Sequence, residues 1–218
     1  MSRAVAPSPR TKVRRRAGRG KYGRSAIDAI LDEGLVGHVS FVVDGQPYGI
    51  PMLYARDGDV LYMHGSPLSR LLAGLAEGVP ACFTVTLVDG LVLARSAFHH
   101  SVNYRSVVAL GQARAIADPD AKFDALTKIV EHVAASRSAD ARGPSPKELK
   151  ATEVVSFALD EASAKVRKGG PVDAPEDYAL PIWAGELPLG MSIGKPITDD
   201  RCSEPIPDYV HHYQRPHA

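Results

Sequence analysis

Residues 62–70 combine the groups that an anion-binding site needs. An alternating strand pattern ends near Gly65, where the missing side chain lets the backbone approach a ligand, and Ser66 then has the position of a helix N-cap. Free N–H groups at a helix start favour an anion, and Ser66, Ser69 and Arg70 would add donors. The pattern predicts a phosphate site, with an ordinary N-cap and a solvent-facing Arg70 as the alternative.

A second polar segment, residues 94–106, lies between two predicted strands, and such loops often carry function. His99 and His100 are adjacent, but neighbours on an extended chain point apart, and no further ligand stands at metal-binding spacing. No metal site is therefore predicted. Arg105 and Ser106 are better candidates as donors to a phosphate or a ring, although only one of them can face a given ligand.

Several catalytic and nucleotide-binding motifs do not occur in the sequence. It contains no GxSxG elbow for a nucleophilic serine and no glycine-rich dinucleotide or Walker motif. Phosphate-binding residues without such motifs favour an organic cofactor with a phosphate tail, because that cofactor would supply the reactive group itself.

Short β-rich runs joined by tight turns must position these residues. Asp44-Gly45, Asp57-Gly58 and Asp89-Gly90 are hairpin signals, and a glycine bend or bulge is expected at Gly111. Helical spacing predicts helices near residues 24–33, over 66–78 and from Asp118-Pro119 onward, and Ser145 has capping-box spacing. The predicted fold is mainly β with flanking helices: an antiparallel β-barrel of six or seven strands.

Composition and charge narrow the class of protein. The chain has 218 residues with 44% hydrophobic residues, no apolar stretch of transmembrane length and no secretory signal. Cys82 and Cys202 lie far apart and suggest neither a disulfide framework nor a zinc site. A cytoplasmic protein without a membrane partner is predicted.

The charge is unevenly distributed along the chain. Of 26 basic residues, nine lie within residues 1–24, which contain no acid, so the rest of the chain is net negative. We predict a basic, flexible arm over residues 1–20, a main domain over 21–167, and a Pro/Gly-rich extension over 168–218 that packs on the barrel or on a partner subunit. The arm could bind nucleic acid, stay solvated or pack on its own acidic body. The body has no basic pattern to support nucleic-acid binding, so a nucleic-acid partner is not expected.

The sequence resembles the FMN-binding split-barrel superfamily of pyridoxamine 5′-phosphate oxidase, and more closely the flavin-nucleotide-binding branch that includes nitroimidazole-resistance proteins. The resemblance spans about residues 14–190, and its most specific block is residues 91–107. The other stretches that carry it are residues 19–22, 30–34, 47–52, 61–66, 69–70, 163–167 and 183–185.

The resemblance implies a homodimer of six-stranded split barrels with FMN at the interface. His64 matches a histidine near the flavin in the resistance branch, so it is the candidate catalytic residue; bonding only the flavin or a main-chain carbonyl is the alternative. Trp183 would cover the ring or substrate, or simply anchor the C-terminal extension. The implied cofactor-binding residues are Ile50, Pro51, Met52, Met63, His64, Gly65, Ser66, Ser69, Arg70, Arg95, Arg105, Ser106 and Trp183.

The sequence also departs from the oxidase pattern. Leu71 stands where the family has a phosphate-binding lysine, so Arg95 or Arg105 would compensate, and the oxidase's C-terminal substrate pattern is not recognisable. Pyridoxamine phosphate oxidation is therefore not expected. The predicted function is an FMN-dependent oxidoreductase that transfers hydride between flavin N5 and a small molecule. The alternatives are a non-catalytic flavin, deazaflavin or haem binder, acting as carrier or sensor, and a flavin-responsive nucleic-acid binder.

Overall fold

An antiparallel sheet of ten strands organises residues 5–216, the part of the chain that the computed structural model describes. The strands are β1 (Gly20–Lys21), β2 (Val36–Val43), β3 (Gln46–Leu53), β4 (Ala55–Asp57), β5 (Val60–Gly65), β6 (Pro80–Leu93), β7 (Ser101–Ala115), β8 (Glu153–Ala158), β9 (Glu161–Arg167) and β10 (Gly185–Pro188). The α-helices of the described residues are α1 (Arg24–Glu33), α2 (Arg70–Ala76), α3 (Pro119–Val133), α4 (Arg137–Asp140), α5 (Pro146–Ala151) and α6 (Asp208–His211). None of the helices in this range is long and apolar enough to span a membrane.

The hydrogen-bonded path runs β3-β2-β6-β7-β8-β5-β4 and forks at β7. Residues 104–110 of β7 pair with β9, and residues 113–115 pair with β8. Gly111 lies between the two segments, and a Cβ there would be 3.3 Å from the Phe157 ring. The β6–β7 register runs unbroken past Gly111, so the expected bulge is absent there, and the glycine instead makes room for Phe157.

The Asp44-Gly45 turn is confirmed. Both residues have positive φ, 50° and 77°, as the two-residue turn of a tight hairpin requires, and the turn sets the β2–β3 register with Val43 opposite Gln46. The turn predicted at Asp89-Gly90 is wrong, because β6 continues through these residues with a bulge between Val88 and Gly90. The β10 backbone passes so close that a Cβ on Gly90 would be 2.9 Å from the Leu187 carbonyl oxygen.

A buried apolar core fills the space between the sheet and the helices. Alternation along β2 turns Val39 and Phe41 inward, and α1 adds Ile27, Ile30 and Leu31. Other core members are Tyr54, Leu61, Met63, Phe83, Val85, Val107 and Phe157. The sequence pattern did not indicate β9, and the ten paired strands exceed the expected six because β1, β4 and β10 add short segments to the sheet.

The two terminal segments contact the body of the fold. In the described part of the arm, Arg10 forms an ion pair with Glu161, and the Val13 amide donates to the Tyr22 hydroxyl at 2.9 Å. At the other end, the Tyr213 hydroxyl donates to the Val133 carbonyl at 2.7 Å. These contacts agree with the interpretation that the arm packs on its acidic body; residues 1–4, including Arg3, lie outside the described residues.

Candidate cofactor site

The end of β5 presents His64 with an unsatisfied nitrogen. Strand alternation turns Met63 into the core, where it is fully buried, and turns His64 to the opposite side. His64 Nδ1 is buried and has no hydrogen-bond partner within residues 5–216. Leaving such a group unpaired costs about 1–3 kcal/mol. Burial also lowers the pKa of His64, so the imidazole is neutral near pH 7 and can bind a metal or accept a hydrogen bond.

The segment after β5 begins its helix three residues later than expected. Ser69, and not Ser66, is the N-cap of α2: its Oγ accepts from the Leu72 amide at 3.1 Å. Residues 66–69 form a turn in which the Ser69 amide donates to the Ser66 carbonyl at 3.0 Å and Ser66 Oγ accepts from Leu68. The turn thus uses the Leu68 and Ser69 N–H groups, which the prediction left free. Both serine oxygens therefore already accept a backbone bond but can still donate their hydroxyl protons.

Arg70, at the start of α2, contacts Tyr48 of β3. Its guanidinium lies 4.5 Å from the centroid of the Tyr48 ring. Tyr48, Ile50 and Met52 are half-buried on the inner face of β3, whereas Pro51 is exposed on the other face. Arg70 forms no salt bridge within the described part of the chain, so its charge is available to a ligand.

The two arginines expected to strengthen the phosphate contact are held by carboxylates. Arg105 donates to both Glu33 and Asp89, which raise its pKa. Arg95 donates to the buried Asp173 at 3.0 Å. Ser106 Oγ donates to the Lys165 carbonyl at 3.3 Å. All three residues therefore bond groups of the protein itself, and none of the three contacts Arg70.

Trp183 belongs to the C-terminal extension and remains 68% exposed. A Cβ on Gly185 would be 2.8 Å from the indole, so the glycine lets the ring lie against the start of β10. This contact agrees with the anchor interpretation, and the exposed ring surface leaves room for a partner or ligand.

Sequence reasoning missed a basic pocket of about 640 Å³ between the N-terminal arm and β9. We call it the arm pocket; its lining residues are Arg15, Arg16, Arg19, Phe98, His99, His100, Ser101, Lys165, Arg167, Val172 and Asp173. The concentration of basic residues in the arm and the alternation of Lys165 and Arg167 along β9 were the available signals. Only the pairing of β1 with β9 brings them together.

His99 also lies near two carboxylates of the C-terminal extension. One ligand atom each from His99, Asp173 and Asp177 fall within 4.8 Å of one another. Protein groups already occupy much of this cluster, because Arg95 binds both Asp173 oxygens and Ser96 Oγ lies 2.7 Å from His99 Nδ1. The cluster therefore does not change the interpretation of the site.

The family model described as pyridoxamine 5′-phosphate oxidase matches residues 23–166, two-thirds of the chain. The chain belongs to the pyridoxamine 5′-phosphate oxidase family. This confirms the resemblance and the split-barrel fold predicted from the sequence, and it places the chain in a flavin-binding family. A search of functionally curated proteins gave no match.

Two solved structures of this family match the chain over nearly its full length. The flavocytochrome Anf3 from Azotobacter vinelandii is 38% identical, covering 97% of this chain and 100% of its own, with a TM-score of 0.92. An FAD and haem binding protein from Mycobacterium smegmatis is 37% identical, covering 90% of this chain and 98% of its own, with a TM-score of 0.86. A Bacteroides thetaiotaomicron protein assigned to 5-nitroimidazole antibiotic resistance is 24% identical over 67% of this chain and 86% of its own, with a TM-score of 0.58, and shares the fold.

Proposed function

We propose that this chain binds a flavin nucleotide and a haem and acts as a redox protein of the flavocytochrome type. The observation that carries the proposal is the similarity to Anf3, because it extends through 97% of the chain and so includes the arm and the C-terminal extension. The M. smegmatis relative, described as binding FAD and haem, supports the same pair of cofactors.

His64 fits the proposed haem. A haem-binding histidine must be neutral and must offer a ring nitrogen free of protein partners. Burial lowers the pKa of His64, and neither of its ring nitrogens has a hydrogen-bond partner among the described residues; because protein encloses Nδ1, Nε2 would be the nitrogen that meets a ligand. We therefore infer that His64 either ligates the haem iron or bonds the flavin beside it.

The turn 66–69 and the start of α2 fit the flavin phosphate. Ser66 and Ser69 can donate their hydroxyl protons, and Arg70 adds a charge without a carboxylate partner in the described residues. Ile50 and Met52 provide a half-buried apolar edge on β3 for the ring. When bound, the flavin supplies two-electron chemistry and the haem one-electron transfer. FMN is the flavin predicted from the sequence, and FAD is the one in the description of the M. smegmatis relative.

We further propose that the flavin supports oxidoreductase activity on a small molecule. Turnover with NAD(P)H would support this activity, and tight cofactor binding without turnover would favour a carrier or sensor. Cys82 and Cys202 are free thiols, which supports the prediction of a reducing, cytoplasmic location.

The test is an absorption spectrum of the purified protein, with mass spectrometry of the released cofactors. We expect flavin bands together with a Soret band, and the flavin mass will distinguish FMN from FAD. In His64→Ala the haem content should fall at least about tenfold if His64 binds the haem, or the flavin spectrum should shift if His64 bonds the flavin ring. The exposed His211→Ala is the matched control and should retain both spectra. A wild-type protein that takes up neither added flavin nor added haem would refute the proposal.

A further inference from the structure

The arm pocket concentrates positive charge that the protein does not neutralise. Arg15, Arg16, Arg19 and Lys165 line it, and none of them forms an ion pair within residues 5–216. The one lining carboxylate, Asp173, has both oxygens bound by Arg95. Like charges held together are unfavourable unless an anion joins them, so this arrangement indicates an anionic ligand.

Arg167 brings a fifth positive charge to the pocket, and it is only 7% exposed. Its guanidinium donates to the Asn103 side-chain oxygen and to the carbonyls of Gly169 and Gly170, which are neutral acceptors. Burial lowers the pKa of Arg167, and the nearby Arg19 lowers it further. The charge of Glu186 partly opposes this lowering of the Arg167 pKa, and Asn103 donates to the Glu186 carboxylate. An anion between Arg19 and Arg167 would relieve their repulsion.

The arm is built into the pocket wall. The Arg19 amide donates to the Arg16 carbonyl at 2.9 Å, and Arg16 adopts the left-handed conformation with φ 56°. β1 then pairs Gly20 with Lys165 on β9. A non-glycine residue with positive φ costs free energy, so the fold holds Arg16 in an unfavoured conformation that turns the arm over the pocket.

An exposed aromatic ring completes the pocket. Phe98 lines it, is 90% exposed, and meets His99 edge-on with ring centroids 5.2 Å apart. A nucleobase can stack on such a ring while its phosphates bind arginine. The volume of about 640 Å³ is in the range of small-molecule sites.

We propose that the arm pocket binds the diphosphate of a nucleotide, with Arg15, Arg16, Arg19, Lys165 and Arg167 around the phosphates and Phe98 against the base. The diphosphate belongs either to a free nucleotide or to the adenine half of an FAD bound to the protein. The proposal rests on the pocket alone and stands whether or not His64 binds a haem.

The test titrates the purified, cofactor-containing protein with ADP and with pyrophosphate by calorimetry. Arg16→Ala and Arg19→Ala should each weaken binding of both anions by at least about tenfold. Phe98→Ala should weaken ADP and leave pyrophosphate unchanged, because only ADP has a base to stack. Arg14→Ala is the matched control: it removes an exposed arginine of the same arm that does not line the pocket. Melting temperatures close to that of the wild type would show that these variants fold.

The outcomes separate the two sources of the diphosphate. Binding of ADP by the wild-type protein indicates a free nucleotide. The protein's own flavin is indicated by a different result. In that case ADP does not bind, FAD co-purifies with the wild type and with Arg14→Ala, and FAD is lost from the double variant Arg16→Ala/Arg19→Ala. The proposal is overturned if the double variant matches Arg14→Ala in ADP binding, pyrophosphate binding and FAD content. It is also overturned if only haem content falls, which would assign the pocket to haem carboxylates. Neither result would affect the His64 test.

Discussion

At the scale of single residues, Gly37 of β2 lies against the ring of a buried core residue. A Cβ at Gly37 would be 2.1 Å from Phe83 Cζ, and Phe83 is fully buried, so neither the ring nor the paired backbone can move aside. We expect Gly37→Ala to lower the free energy of unfolding by about 3 kcal/mol, as overpacking of a core does. Urea unfolding measures the change.

Gly49 on β3 provides the matched control for Gly37. A Cβ there would be 3.7 Å from Ser40 Oγ, an ordinary contact, so Gly49→Ala should change the free energy of unfolding by less than about 0.5 kcal/mol. Equal losses in the two variants would show that the Phe83 ring does not limit the residue at position 37.

At the scale of elements, His132 joins α3 to α1 and to the C-terminal extension. Its Nε2 lies 2.7 Å from the Gly34 carbonyl, and Arg215 donates to the carbonyls of Asp32 and Gly34 beside it. Burial lowers the pKa of His132 and the Arg215 charge lowers it further, while the hydrogen bond to Gly34 partly opposes this. His132 thus lies at a packed junction of three segments: α1, α3 and the C-terminal extension.

This lowered pKa predicts that acid weakens the junction. As the pH falls below the ordinary histidine value of about 6.5, the unfolded chain takes up a proton before the folded one does, so stability falls until the folded pKa is passed. We expect the loss of melting temperature between about pH 7.5 and about pH 5.5 to be smaller in His132→Gln, which does not titrate and can still donate to Gly34. His211→Gln, at an exposed site, should behave as the wild type; an identical loss in His132→Gln would contradict this role.

At the scale of the whole molecule, the outer face of β2, β3 and β6 exposes four apolar side chains, together with the polar His38 and Ser40. The register places Val36 and Val42 of β2 on that face with Leu53 of β3 and Val88 of β6, each 43–53% exposed. A sheet face that exposes several large apolar side chains suits a two-fold interface with a second copy. We propose the homodimer that the family resemblance implies, with this face as its interface.

Light scattering tests the dimer. The wild type should have twice the chain mass of 23.3 kDa, and Val36→Glu/Val42→Glu should shift it to a single chain because each glutamate would bury a charge at the interface. Ile197→Glu, at a position 97% exposed in the C-terminal extension, should remain a dimer. A wild-type monomer at all concentrations, or a dimeric double variant, would contradict the proposed interface.

Features that depend on neighbouring residues could be predicted from the sequence. The span of α1, the start of α3 at Asp118-Pro119, the Ser145 capping box and the Asp44-Gly45 turn all agree with the structure. Each is decided by side chains within a few positions, which bond their own backbone or permit a particular φ. The family resemblance then identified the fold, and the match to the family model confirmed it.

Features that depend on distant segments could not be predicted in this way. Asp89-Gly90 has the composition of a turn, but β10 and a bulge keep it within β6. Arg95 and Arg105 were interpreted as phosphate donors, but carboxylates far away in the sequence bind them. The arm pocket exists only because β1 pairs with β9, which are separated by some 140 residues. The sequence determined which residues carry charge, cap helices and form strands; the tertiary structure decided which charges meet a partner and which remain free for a ligand, because pairing between distant strands sets those distances.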